Sequence, residues 1–88
     1  MERNDPIWEL IVETLRRECR VQGELLPSTR LREDLGLDSL ALLTLAVAAE
    51  DHFRIYLQED AQAPPQTLGE FAELVARRRR EQDHAQPD

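Results

Sequence analysis

From residue 5 onward the chain alternates between segments with a helical apolar period and stretches that lack one. Asp5-Pro6 has the form of an N-cap followed by proline at the first helical position, where the missing N–H costs nothing. Ile7, Trp8, Ile11, Leu15 and Cys19 then return at three-to-four spacing, with Glu9, Glu13, Arg16 and Arg17 on other faces. This predicts a first amphipathic helix to about Cys19 or Arg20, with Gly23 at or just beyond its end. Residues 21–38 hold Gly23, Pro27 and Gly36 and read as a long ordered loop. Leu25 or Leu26, Leu31 and Leu35 pin it to the core, and Ser28 or Thr29 is placed to cap a short turn through Leu35.

The second helix opens at Asp38-Ser39 and runs to about Phe53. Leu42, Leu45, Ala46, Ala49 and Phe53 form its core-facing stripe. The other side carries Leu40, Ala41, Thr44, Val47, Ala48 and Asp51, with no charge before Glu50. Such a helix is either a docking face or buried on nearly all sides. Arg54–Leu57 is a connector in which Ile55 and Leu57 plug the core, and Gln58–Ala63 has room for one short helical turn before Pro64-Pro65 stops it. Thr67-Leu68-Gly69-Glu70 is a capping box. The last helix then extends from Leu68 to about Arg80, burying Leu68, Phe71, Ala72 and Val75. Arg77–Arg80 fall in its last turn, where positive charge complements the macrodipole.

The fold class is therefore all-α: a small four-helix bundle of three main helices and a short third one, with a long ordered loop between the first two. Residues 1–80 form one domain, and the polar stretch 81–88 is expected to be a disordered tail. At 88 residues, with only Trp8, Phe53, Tyr56 and Phe71 as aromatics, aliphatic side chains must fill the core.

Charge narrows the partners. The net charge is −7 and every one of the 11 basic residues is arginine. Residues 1–76 hold 15 acidic residues against 7 arginines, a surface that repels nucleic acid and anionic membrane and steers toward a basic partner. No apolar run is long enough to span a bilayer, and no signal-peptide pattern stands at the start, so a cytoplasmic monomer is expected. Cys19 is alone, which excludes an intramolecular disulfide and a cysteine metal cluster. It reads as a small core residue, Trp8 as core or as a lid over helix one, and His52 as a surface residue at the end of helix two.

Catalytic signals are missing. No histidine, aspartate and serine stand in a triad arrangement, and the Gly-x-Ser-x-Gly elbow is absent. No catalytic residue and no metal ligand is assigned, and the chain reads as a non-enzyme. What remains is a surplus: Asp38 and Ser39 are both capping residues, and a helix start needs only one. Ser39 at an exposed helix entrance reads either as a plain cap or as a hydroxyl presented to a modifying enzyme. A phosphate ester there would meet the positive end of the helix dipole.

Leu35-Gly36-Leu37-Asp38-Ser39-Leu40 resembles the phosphopantetheine attachment motif of acyl carrier proteins, Gly, any residue, Asp, Ser, then Leu or Ile. The order of elements over residues 5–80 is similar too, including Glu33-Asp34-Leu35-Gly36 before the motif, Phe53 closing helix two and Thr67-Leu68 opening the last helix. The resemblance implies that Ser39 receives a 4'-phosphopantetheine arm from coenzyme A through a phosphopantetheinyl transferase, with magnesium held mainly on that enzyme. The arm's thiol, not Cys19, would carry cargo as a thioester, and tethering would deliver it to successive enzymes at high effective concentration.

It further implies that Asp38 faces the transferase and that Leu40, Val47, Glu50 and Asp51 meet partners. Those partners would be an acyl- or aminoacyl-loading enzyme and a ketosynthase or condensation-type enzyme. Fatty-acid carriers usually place acids early in the second helix, whereas Ala41 and Thr44 stand here. That departure favours a dedicated carrier of polyketide or nonribosomal peptide assembly over one of fatty-acid synthesis. An unmodified helical adaptor is the reading from a different class.

Overall fold

A computed structural model describes residues 5–57 and 65–85. They form three helices, α1 (Pro6–Glu18), α2 (Ser39–Phe53) and α3 (Leu68–Ala85). Among the described residues there is no strand, only one isolated antiparallel bridge between Arg30 and Thr67. The all-α class stands, but the described residues show three helices and not four. The stretch assigned to the short third helix, 58–63, lies outside the described residues.

α1 starts as its sequence dictates: Asp5 Oδ1 accepts the Ile7 N–H at 3.0 Å and Pro6 takes the first helical position. Ile7, Ile11 and Leu15 are buried and Thr14 joins them, since it sits one turn from Ile11 on the same face. The helix ends before Gly23. Arg20 adopts a left-handed backbone at φ 58°, and both Cys19 and Val21 donate to the Leu15 carbonyl, at 3.2 and 2.9 Å. Gly23 makes a separate turn, at φ 94°, whose carbonyl accepts from the Arg16 guanidinium at 3.1 Å.

The loop is ordered because α3 needs it. The first N–H groups of a helix have no partner within it. Here Leu68 donates to the Thr29 carbonyl at 2.9 Å and Gly69 to the Pro27 carbonyl at 2.8 Å, while Leu31 returns a bond to Gln66 at 2.9 Å. Thr67 Oγ1 accepts the Glu70 N–H at 3.1 Å and Glu70 Oε1 accepts the Gln66 N–H at 2.8 Å, which completes the predicted capping box one residue early. Of the leucine alternatives, Leu25 is buried and Leu26 exposed; Leu31 and Leu37 are buried and Leu35 half-buried. Neither Ser28 nor Thr29 caps the turn to Leu35. Thr29 Oγ1 reaches back to the Leu26 N–H, and the turn is held by Asp34 Oδ2 on the Arg30 N–H at 2.8 Å.

α1 packs against both α2 and α3, with Leu45 and Ala49 from α2 and Leu68, Phe71, Ala72 and Val75 from α3. Leu42, Ala46 and Phe53 lean on that core from its edge. Ile55 and Leu57 are buried plugs, as their alternation implies. Trp8 is half-buried against the core, and His52 is exposed.

α3 does not stop near Arg80. It continues to Ala85, so residues 81–85 are helical and the expected tail starts no earlier than residue 86, outside the described residues. Glu81 and Gln82 are good helix formers, and Gln82 gains a tertiary partner in Tyr56. Arg77–Arg80 consequently lie before the last turn. No described helix is long and apolar enough to cross a membrane.

Candidate functional site

The segment from Leu31 to Leu40 delivers a serine to solvent in a few steps. The turn over 31–35 ends with the Gly36 N–H on the Arg32 carbonyl at 2.9 Å. Gly36 then takes φ 68°, a left-handed conformation in which a Cβ is costly. That reversal sends Leu37 into the core, its N–H bonded to the Leu31 carbonyl at 3.1 Å. Asp38 follows as the N-cap in extended backbone, φ −93° and ψ −175°, with Oδ1 accepting the Ala41 N–H at 2.9 Å. Its carbonyl accepts the first helical bond, from Leu42, at 3.0 Å.

Asp38 therefore does the capping, and Ser39, first residue of α2, is left as the surplus hydroxyl, exposed at the helix entrance. A phosphodiester on that oxygen fits the setting. It would stand in water at the positive end of a helix of 15 residues whose first turn contains no acidic side chain.

Cys19 lies close enough to feel the Asp38 charge. Burial first, then Glu18 and Asp38, push its thiol above the ordinary range, so it stays protonated and a poor nucleophile near neutrality. Among the described residues no group of three or more His, Cys, Asp or Glu is placed to hold a metal ion.

The side of α2 facing away from α1 settles the alternative left by its pattern. Leu40 is 69% exposed, Leu43 57% and Val47 49%, so the helix is not buried all round. These three recur at helical spacing and continue to exposed Asp51, one stripe leading away from Ser39. Thr44 Oγ1 donates to the Leu40 carbonyl at 3.0 Å, which turns the one hydroxyl beside the stripe inward on the helix. Leu43 was not among the residues the sequence singled out. Its signal was available, three residues after Leu40 and four before Val47. Asp38 is exposed, whereas Glu50 is half-buried and its Oε2 accepts the Leu57 N–H at 2.9 Å.

α2 thus opens on an exposed serine that does not cap it, beside an open aliphatic stripe. Residues 9–75 match the family described as the phosphopantetheine attachment site. A curated relative, "Acyl carrier protein" from Exiguobacterium sibiricum, is 30% identical over 69 residues, which is 78% of this chain and 84% of that protein. No solved structure matches the chain significantly. The chain belongs to the acyl carrier protein family, non-catalytic carriers of acyl groups on covalently bound 4'-phosphopantetheine. Carriers of this family interact with a phosphopantetheinyl transferase and with acyl-processing enzymes.

Proposed function

We propose that Ser39 is the residue that takes the phosphopantetheine arm, and that the loaded protein serves a dedicated polyketide or nonribosomal peptide assembly in the cytoplasm. The observation that carries the first part is the division of labour at the start of α2: Asp38 holds the Ala41 N–H, and the Ser39 hydroxyl faces solvent. When bound, the arm supplies a thiol on which the cargo rides as a thioester. The chain's own work is positional. Gly36 turns the backbone, Leu37 anchors it, and Asp38 fixes the helix start, so the serine is presented in one orientation to a transferase.

The pathway reading is supported by the stripe of Leu40, Leu43 and Val47 and by the absence of acid from the first turn of α2. Partners would meet an aliphatic surface along α2 beyond the serine, with charge at the Asp38 cap and then only at Asp51 and the free side of Glu50. Apolar contact governs affinity there, and electrostatic steering is weaker. Asp38, Leu40, Val47, Glu50 and Asp51 are assigned to partner contact on this reading.

Incubation with coenzyme A and a permissive phosphopantetheinyl transferase is expected to raise the intact mass by one arm, and Ser39→Ala is expected to gain nothing. Wild-type protein left unmodified by several such transferases would refute the assignment. Intact mass spectrometry of protein from its native host, catching the loaded form, identifies the cargo and hence the pathway.

A further inference from the structure

The turn over 31–35, just upstream of Ser39, cannot hold itself. One isolated helical turn fixes several backbone angles for a single hydrogen bond, so it persists only where other groups tie it down. Here the ties are unequal. Arg30 is ion-paired with Glu33, but both side chains are mostly exposed and such a pair contributes little. The Leu31 N–H is fixed on the Gln66 carbonyl at 2.9 Å. Asp34 Oδ2 reaches back four residues to accept the Arg30 N–H at 2.8 Å, a bond strengthened by the carboxylate charge.

That last tie has a counterpart across the Arg30–Thr67 bridge. Glu70 Oε1 reaches back four residues to the Gln66 N–H, also at 2.8 Å, where α3 begins. The two carboxylates close two chain reversals that grip each other, Leu31 on Gln66 and Leu68 on Thr29. Glu70 closes the entrance of a helix of 18 residues. Asp34 closes a turn that leads at once into Gly36, Leu37 and the cap of α2. The exit is bonded to that turn at each step: Leu35 donates to the Arg30 carbonyl at 3.1 Å, Gly36 to Arg32 at 2.9 Å and Leu37 to Leu31 at 3.1 Å. Arg30 is therefore the hub, its N–H held by the Asp34 side chain and its carbonyl by the Asp34 and Leu35 N–H groups. Asp34 itself is exposed and packs nothing in the core.

We propose that Asp34 is a positioning residue for the modification of Ser39, an inference that rests on the assignment of the arm to that serine. By locking Arg30 to its own turn, the Asp34 carboxylate keeps the Gly36–Leu37 exit on one course, braced through Leu31 against the start of α3. The serine then reaches the transferase already presented. Without that bond the turn is ordered only as the carrier docks, and the ordering cost falls on binding of the carrier and not on the transfer of the arm.

The test is steady-state kinetics of a permissive phosphopantetheinyl transferase at saturating coenzyme A, with the full chain as the varied substrate, beside amide exchange of the unmodified protein. Asp34→Ala is expected to raise the KM for the carrier about fivefold with kcat unchanged, the mark of lost binding that ground state and transition state share. Exchange at Gly36 and Leu37 should quicken in the same variant. Asp34→Asn keeps an acceptor oxygen and is expected to restore both readouts. Asp5→Ala removes the α1 cap, so it should lower the melting temperature and leave KM at the wild-type value. An unchanged KM in Asp34→Ala overturns the proposal, as does a fall in kcat at constant KM. A loss in Asp34→Asn equal to that in Asp34→Ala overturns it too, since the charge would then meet the enzyme directly. An equal KM rise in Asp5→Ala would reduce the effect to overall stability and overturn it as well. Failure of the Ser39 assignment shows differently, as wild type that takes no arm or as Ser39→Ala that gains one, and the proposal falls with it.

Discussion

The Glu50 carboxylate accepts the backbone N–H of Leu57 at 2.9 Å, while the Glu50 carbonyl accepts the N–H groups of Arg54 and Ile55. One residue thus closes α2 and holds the connector that keeps Ile55 and Leu57 in the core. Glu50→Ala is expected to lower unfolding stability in urea by about 1.5–3 kcal/mol, the range for a hydrogen bond to a charged group. Glu50→Gln, which keeps an acceptor oxygen, should lose much less. An unchanged urea midpoint in Glu50→Ala would show the hook to be idle. Partner-binding losses in the alanine variant therefore need the glutamine variant beside them, because Glu50→Ala also loosens the connector.

Asp38 has two separable duties. As the cap on the Ala41 N–H it is expected to cost about 1 kcal/mol when replaced by alanine. Asp38→Asn keeps the cap and removes the charge. If the transferase reads that charge, the asparagine variant should melt like wild type yet be modified more slowly. Equal modification rates would assign Asp38 to capping alone.

Gly36 and Gly69 are required for different reasons. A Cβ on Gly36 meets nothing within 4 Å, so Gly36→Ala bears only the left-handed backbone, about 1–2 kcal/mol, read as a lower melting temperature. A Cβ on Gly69 would stand 3.0 Å from the Pro27 carbonyl oxygen and 3.1 Å from the Pro27 Cβ. Gly69→Val is therefore expected to destabilise by pushing the loop off α3, with faster amide exchange at Leu31 and Leu68. Protection of those two amides equal to wild type would refute it.

Cys19 carries a thiol raised by burial and by the nearby Glu18 and Asp38 carboxylates. The unfolded thiol ionises first as pH rises, so this group's contribution to stability is complete below the ordinary thiol range and is lost at higher pH. Alkylation with iodoacetamide at about pH 8 should be slower in the native chain than in urea, since thiolate is the reactive form. On the phosphopantetheinylated protein the arm's thiol should label first. Native Cys19 reacting as fast as the unfolded chain would contradict the shielding.

Much of the bundle was legible along the chain. The Ile7–Ile11–Leu15 stripe, the Leu45–Ala49 contact and the Leu68–Phe71–Val75 face follow from helical spacing, because one period puts those residues on one side whatever they pack against. The motif's backbone was legible for a similar reason, Gly36 turning the chain and Asp38 capping α2 locally, whereas the role of Ser39 came from the resemblance to acyl carrier proteins. Where an element ends was less so. α1 ends at Glu18 with Cys19 as its cap, close to where the pattern stops, but α3 runs on past Arg80 to Ala85, where Gln82 finds a partner in Tyr56, distant in sequence.

The sequence by itself determined the three helices, their buried faces and the serine at the head of α2, all consequences of periodicity and local capping. Only the tertiary structure decided which side of a largely apolar α2 stays open, that the loop carbonyls at Pro27 and Thr29 cap α3, and that Glu50 and Gln82 hold the connector. Those outcomes depend on which distant groups meet. A polar atom finds its partner through the packing of whole elements, and no spacing within a single element encodes that.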